Sequence, residues 1–138
     1  MKKLLYLFIA STLLISCSSN DDNSPALDPI IGTWQLQSIQ AFNQEQTTAC
    51  TRQSTLIFSE NGTASINSFA DADDGSGDCE RYSDMSNWEN SGNSTYKIDD
   101  DVETVTIDFS ENNTVFTISL SETDNGTTYT IATVYKKL

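Results

Sequence analysis

From residue 30 onward, apolar side chains recur at every second position in short runs that end in turn-forming residues. That pattern gives one buried face only to extended strands, because a helix would scatter the same residues around its axis. Residues 54–59 alternate Leu56 and Phe58; residues 102–109 alternate Val105, Ile107 and Phe109. Residues 114–121 set Phe116, Ile118 and Leu120 against Thr117, Ser119 and Ser121. Residues 32–40 carry Trp34, Leu36 and Ile39, and residues 81–90, less regular, hold Trp88. Asn61-Gly62, Ser91-Gly92-Asn93, Glu111-Asn112-Asn113 and Asp124-Asn125-Gly126 are residues that accept the left-handed backbone of tight hairpins. With 63–69, 95–98 and 127–136, eight strands are expected, and no segment has helical periodicity.

Short hairpins join all of these strands except across two longer links, 41–52 and 70–80. The fold expected is therefore all-β: an eight-stranded antiparallel up-and-down meander that removes its edges by closing into a barrel. A sandwich of six or seven strands is the competitor, but it needs crossovers longer than most of these connections. In a meander, alternate connections lie at opposite ends, so the two long links share one end and Trp34 sits near the other. Such a barrel is just wide enough for side chains or one small ligand. Leu56, Phe58, Tyr96, Phe109 and Phe116 are the candidate ligand wall, with Gln44, Glu45, Arg52, Asp73, Asp74 and Arg81 as a polar rim. The plainer reading, that these inward aromatics are core, stands beside it.

Composition narrows the chemistry. The 138 residues include no histidine, which removes the commonest general base and zinc ligand, so no enzyme activity is expected. Twenty acidic residues against seven basic give a net charge of -13, which argues against nucleic acid. Residues 71–78 are rich in aspartate, but position five of an EF-hand frame would be Gly75, position six Ser76 and position twelve Tyr82. A solvated loop is the simpler reading, adventitious calcium the other; no metal site or cofactor is assigned.

The first residues read as an address. Lys2 and Lys3 precede an apolar run from Leu4 to Ile15, too short to span a bilayer as a permanent helix. Leu14-Ile15-Ser16-Cys17 resembles the lipobox of bacterial lipoproteins, which implies a signal peptide over 1–16 and lipidation of Cys17. An ordinary signal peptide is the alternative, although Leu14 and Ile15 lack the small residues of its cleavage site. Residues 17–29 read as a polar tether ahead of a domain over 30–138. The acidic residues behind Cys17 resemble the surface-export signal of Bacteroidetes lipoproteins, which implies a lipid anchor in the outer membrane, reaching the cell surface. In that oxidising compartment Cys50 and Cys79 are expected to pair, closing a loop of about 30 residues for roughly 3.6 kcal/mol on the chain-entropy estimate.

Ile31-Gly32-Thr33-Trp34 resembles the G-x-W signature of lipocalins, in which the Trp closes the barrel base. The rest, with a Cys before strand two, a Cys after strand three and a Trp opening the next hairpin, is similar to lipocalin-like domains of Bacteroidetes lipoproteins. Animal lipocalins usually set an Arg of the last strand against that Trp; here Lys136 and Lys137 stand at that position. The resemblance implies a lipid-anchored binding module for a small apolar molecule, a glycan or an envelope protein. The alternative is an accessory lipoprotein with a solid barrel and no ligand cavity.

Overall fold

A computed structural model describes residues 26–99, 104–124 and 126–138. Cys17, the leader, the tether as far as residue 25 and the expected strand start at Val102 lie outside the described residues. The strands are β1 (Gly32–Ala41), β2 (Gln44–Glu45), β3 (Thr55–Phe58), β4 (Thr63–Asp71) and β5 (Cys79–Gly92), then β6 (Thr95–Ile98), β7 (Val105–Ser110), β8 (Val115–Asp124) and β9 (Thr127–Lys137). Each pairs antiparallel with its sequence neighbour, save that β1 pairs with both β2 and β3, and β1 also pairs with β9. The last pairing closes an eight-stranded up-and-down barrel, and β2 is a two-residue flap on its rim.

Three details depart from the sequence expectation. The first long link is partly ordered: Phe42 and Asn43, at φ 54° and 59°, turn β1 back into β2, and a single helical turn follows at Thr51–Gln53. β5 runs two residues further at each end than the expected 81–90, because both of its faces are largely exposed and leave no apolar alternation to read. β8 likewise reaches Asp124 rather than 121. In β1 the ladder to β9 shifts between Leu36 and Ser38. That bulge absorbs one residue, so Leu36 and Ile39, three apart, both face inward.

The two long links meet at one end, where Cys50 and Cys79 form a disulfide with Cα atoms 5.3 Å apart. Cys50 is buried, and the bridge ties the start of β5 to the crossover from β1.

At the opposite end Trp34 anchors the base. It is fully buried, its indole N–H donates to the Ile30 carbonyl at 2.6 Å, and its ring lies 4.5 Å from Phe116. Lys137 Nζ stands 5.0 Å over the same ring and donates to the Pro29 carbonyl. A lysine therefore takes the place that the lipocalin pattern gives to arginine, as a point charge rather than a planar fork. Gly32 makes room for it: a Cβ there would fall 2.6 Å from Lys137 Cε, and the φ of +135° is one that other residues rarely adopt. Gly32→Ala should thus cost about 1–3 kcal/mol, from backbone strain and a displaced lysine, and Lys137→Ala about 0.5–1 kcal/mol. Urea denaturation of both variants checks the order; equal or smaller loss for Gly32→Ala would contradict it.

Candidate ligand site

Cross-strand partners share a face, so the register identifies every inward position from Trp34. Trp34 pairs with Leu56, Leu56 with Ile66 and Ile66 with Asp84. On β5 the inward line is therefore Glu80, Tyr82, Asp84, Ser86 and Trp88. On β8 it is Phe116, Ile118, Leu120 and Glu122, facing with Tyr135, Thr133, Ile131 and Tyr129 of β9.

The lower half of this interior is solid. Phe58, Tyr96 and Phe116 are 2%, 1% and 0% exposed, so no water-sized space adjoins them. Phe109 and Leu56, half-buried, pack against the same cluster, and Trp88 sits edge-on to Phe58 at 5.9 Å. The five expected wall residues are thus brought together, but three of them, Phe58, Tyr96 and Phe116, belong to the solid base rather than to a ligand wall. Tyr96 also fastens the chain that enters under the barrel. Its hydroxyl donates to Asp28 Oδ1 at 2.8 Å, Asn90 Nδ2 donates to the other Asp28 oxygen, and the Ile30 N–H donates to Oδ1.

Among the described residues, the ladder stops short in the upper half. β6 pairs with β5 only over Trp88–Gly92, and β7 pairs with β8 only as far as Ile118. Among the described residues, nothing pairs with β5 from Cys79 to Ser86 on the side away from β4, or with β8 beyond Ile118 on the side away from β9. The inward side chains there meet solvent: Leu120 is 49% exposed and Tyr82 57%. By register, the apolar inward positions of this end, called the cup below, are Leu56, Ile66 and Ile118 lower down and Ile39, Leu120 and Ile131 above them.

Its lip is polar and aromatic. Tyr82 donates to Glu80 Oε2 at 2.6 Å, and Tyr129 donates to Glu122 Oε2 at 2.9 Å. Each glutamate holds its tyrosine's pKa above the usual phenol value by accepting that hydrogen bond. Phe42, strained at positive φ, stacks on Tyr129 at 4.7 Å between ring centres, and a space of about 470 Å³ lies between Phe42-Asn43 and residues 127–130. Asp84 Oδ1 accepts the Met85 N–H at 2.8 Å, and Ser86 Oγ, next below, is buried without a hydrogen-bond partner.

Of the expected rim, Gln44, Glu45, Arg52, Asp73 and Asp74 are exposed in links at or near the disulfide end. Thr47 holds the Glu45 carboxyl, and Ser76 that of Asp74, below the usual carboxylate range. Arg81 is a correction: it alternates with the inward line, faces outward and donates to Asn67 Oδ1 at 2.6 Å. The sequence reading missed the polar inward line of β5 altogether. The signal was present, because counting back in twos from Trp88 reaches Ser86, Asp84, Tyr82 and Glu80.

The model of the lipocalin-like domain family matches residues 30–125. The protein belongs to that family. No curated protein matches this lipocalin-like domain. Among solved structures it is similar to bovine odorant-binding protein in complex with its natural ligand, at 20% identity over 81% of this chain and 73% of that one, TM-score 0.47. The siderocalin Ex-FABP matches at 12% identity over 80% and 75%, TM-score 0.47. Lobster apocrustacyanin A1 matches at 11% identity over 84% and 64%, TM-score 0.48.

The tyrosines give this domain an alkaline limit. Burial, and for Tyr96 the Asp28 carboxylate, raise the pKa of Tyr96 and Tyr135 in the folded state. Their contribution is complete below the unfolded value of about 10 and is lost as pH rises above it, since the unfolded chain then releases protons that the folded one keeps. Tyr96→Phe should lose about 1.5–3 kcal/mol at pH 7, the worth of a hydrogen bond to a carboxylate. Its stability should then fall less steeply above pH 10 than the parent's, which chemical denaturation across that range measures.

Proposed function

We propose that this lipocalin-like domain is a binding module whose site is the open upper cup, and that its ligand is a small amphiphile. The observation that carries the reading is the division of the interior. Phe58, Tyr96 and Phe116 fill the base without space, while Leu120 stands half-exposed on an inward position. An apolar side chain held on an inward position by pairing to β9 alone, against open space, is suited to covering an apolar ligand. A medium-length alkyl alcohol such as octanol is a suitable probe. Leu120→Asp should abolish its calorimetric binding without unfolding the base, since Leu120 lies outside the buried cluster. Unchanged affinity in that variant would remove the cup from consideration.

A second reading, an accessory protein that binds no small molecule, draws on the solid base and on the exposed outer face of β3–β5. A groove there is lined by Ile57, Ser65, Asn67, Ser83, Asp84 and Met85, the last 71% exposed. Absence of binding by any amphiphile would favour it.

The proposal includes the anchor. The basic n-region, apolar run and Cys17 support a signal peptide and lipidation, and with them an outer-membrane location. A body carrying 20 acidic residues does not adhere to an anionic bilayer, so attachment rests on the acyl chains, worth about 0.8 kcal/mol per buried methylene. Cys17→Ser should therefore move the protein from the membrane to the soluble fraction. Retention in the pellet with incorporation of labelled palmitate would refute the lipobox.

A further inference from the structure

Among the described residues, eight other than glycine stand at positive φ, and seven of them are Asn, Ser, Asp or Glu. The eighth is Phe42, at φ 54°, followed by Asn43 at 59°. Two consecutive left-handed residues make the tight hairpin between β1 and β2, for which Asn-Gly is the sequence of least strain. A bulky ring gains nothing from that backbone. Nor is the ring there for the core, since Phe42 is 65% exposed. A strained aromatic held out in solvent points to function rather than to folding.

The same turn takes β1 away from β9. Their ladder ends at Gln40–Ala132, while β9 begins at Thr127. The Leu138 N–H donates to the Thr33 carbonyl, so even-numbered residues of β9 turn their backbone groups toward β1. Among the described residues, no strand meets the N–H and C=O of Thr128 and Thr130 on that side. The space of about 470 Å³ lies here, between Phe42-Asn43 and residues 127–130. Its lining offers backbone donors and acceptors, an amide, threonine hydroxyls and two aromatic rings, without a charged side chain, in a chain of net charge -13. Glu122, which accepts from the Tyr129 hydroxyl, adds an acceptor at the border.

A cation would leave the two backbone N–H groups without an acceptor, and an anion would meet Glu122 and the charge of the whole body. A pyranose matches both parts of the lining: its hydroxyls donate and accept, and the C–H face of its ring lies flat on an aromatic. We infer that this cleft is a saccharide subsite, and that the amphiphile of the cup is an alkyl glycoside with a neutral head group. The sugar lies against Phe42 and hydrogen-bonds to Thr128 and Thr130, and the chain runs past Tyr129 onto Ile131 and Leu120. The register places these in line, because Tyr129 pairs with Glu122 and Ile131 with Leu120 on one inward face. The inference rests on the cup being a ligand site and adds the chemical class of the head group.

The test is calorimetry at pH 7 on the full-length protein carrying Cys17→Ser, with three probes of one chain length: octyl β-glucoside below its micellar concentration, octanol and octyltrimethylammonium. The glucoside should bind about ten-fold more tightly than octanol, the worth of one or two hydrogen bonds, and the ammonium no better than octanol. Phe42→Asn, which gives the turn a residue suited to positive φ, should erase the ten-fold advantage and leave octanol unchanged. Phe42→Tyr, which keeps the ring, should retain the advantage.

Equal binding of glucoside and octanol, or tightest binding of the ammonium, would overturn the saccharide assignment and leave the cup standing. An advantage that survives Phe42→Asn would overturn it too. So would loss of both glucoside and octanol in Phe42→Asn, which would make the ring a prop for the cup rather than a platform for a sugar. Glucoside binding that persists in Leu120→Asp but is lost in Phe42→Asn would uphold the subsite and remove the cup. No binding by any of the three probes would overturn both.

Discussion

The structure depends on the seating of Trp34. Its indole N–H must be satisfied in a place without water, and the Ile30 carbonyl does so; its ring must be covered, and Phe116, Phe109 and Lys137 cover it. These contacts bring together the entering chain, the first strand and the last, which is the closure that a meander needs. Gly32 follows from the same requirement, being the residue whose missing side chain lets Lys137 reach over the ring. Asp28, fastened to Tyr96 and Asn90, holds the entering segment beneath it.

With closure secured at the base and by the disulfide at the other end, the strands between need not be of equal length. β6 has four residues and β7 six, against fourteen in β5 and ten in β8. Among the described residues the short pair completes the ladder only around the core, and above it inward side chains such as Tyr82 and Leu120 meet solvent. An eight-stranded barrel of this size cannot hold both a full core and a ligand along its whole height. On the function proposed above, dividing the height between them leaves a packed base for stability and the other end for a ligand.

How far the sequence could be read follows from the same division. Wherever an inward face is packed, as along 55–58, 105–109 and 115–118, the alternation of apolar residues shows strand, face and partner. The G-x-W run, the cysteine pair and the hairpin turns completed the topology. Where the interior is open, the pattern carries no such mark. β5 presents Glu80, Tyr82, Asp84 and Ser86 inward and Arg81, Ser83 and Met85 outward, so neither face reads as core, and its length and its chemistry both escaped. Arg81 was set on the rim for the same reason. The aromatic wall was legible as inward but not as floor, because how tightly Phe58, Tyr96 and Phe116 pack depends on strands distant in the chain.

The division of the barrel into a closed base and an open cup is tested most directly by residue-resolved amide hydrogen exchange. Along upper β5, even-numbered amides bond to β4 and odd-numbered ones point to the free edge, in phase with the Trp88 N–H that donates to the Gly62 carbonyl. The account predicts alternation: Tyr82 and Asp84 protected, Arg81 and Ser83 exchanging close to the unprotected rate, and Ser121 and Thr123 of β8 likewise fast, while the amides around Trp34 and Phe116 are protected to nearly the global stability. Strong protection of Arg81, Ser83, Ser121 and Thr123 would mean that the ladder closes to the top, and the cup would not exist.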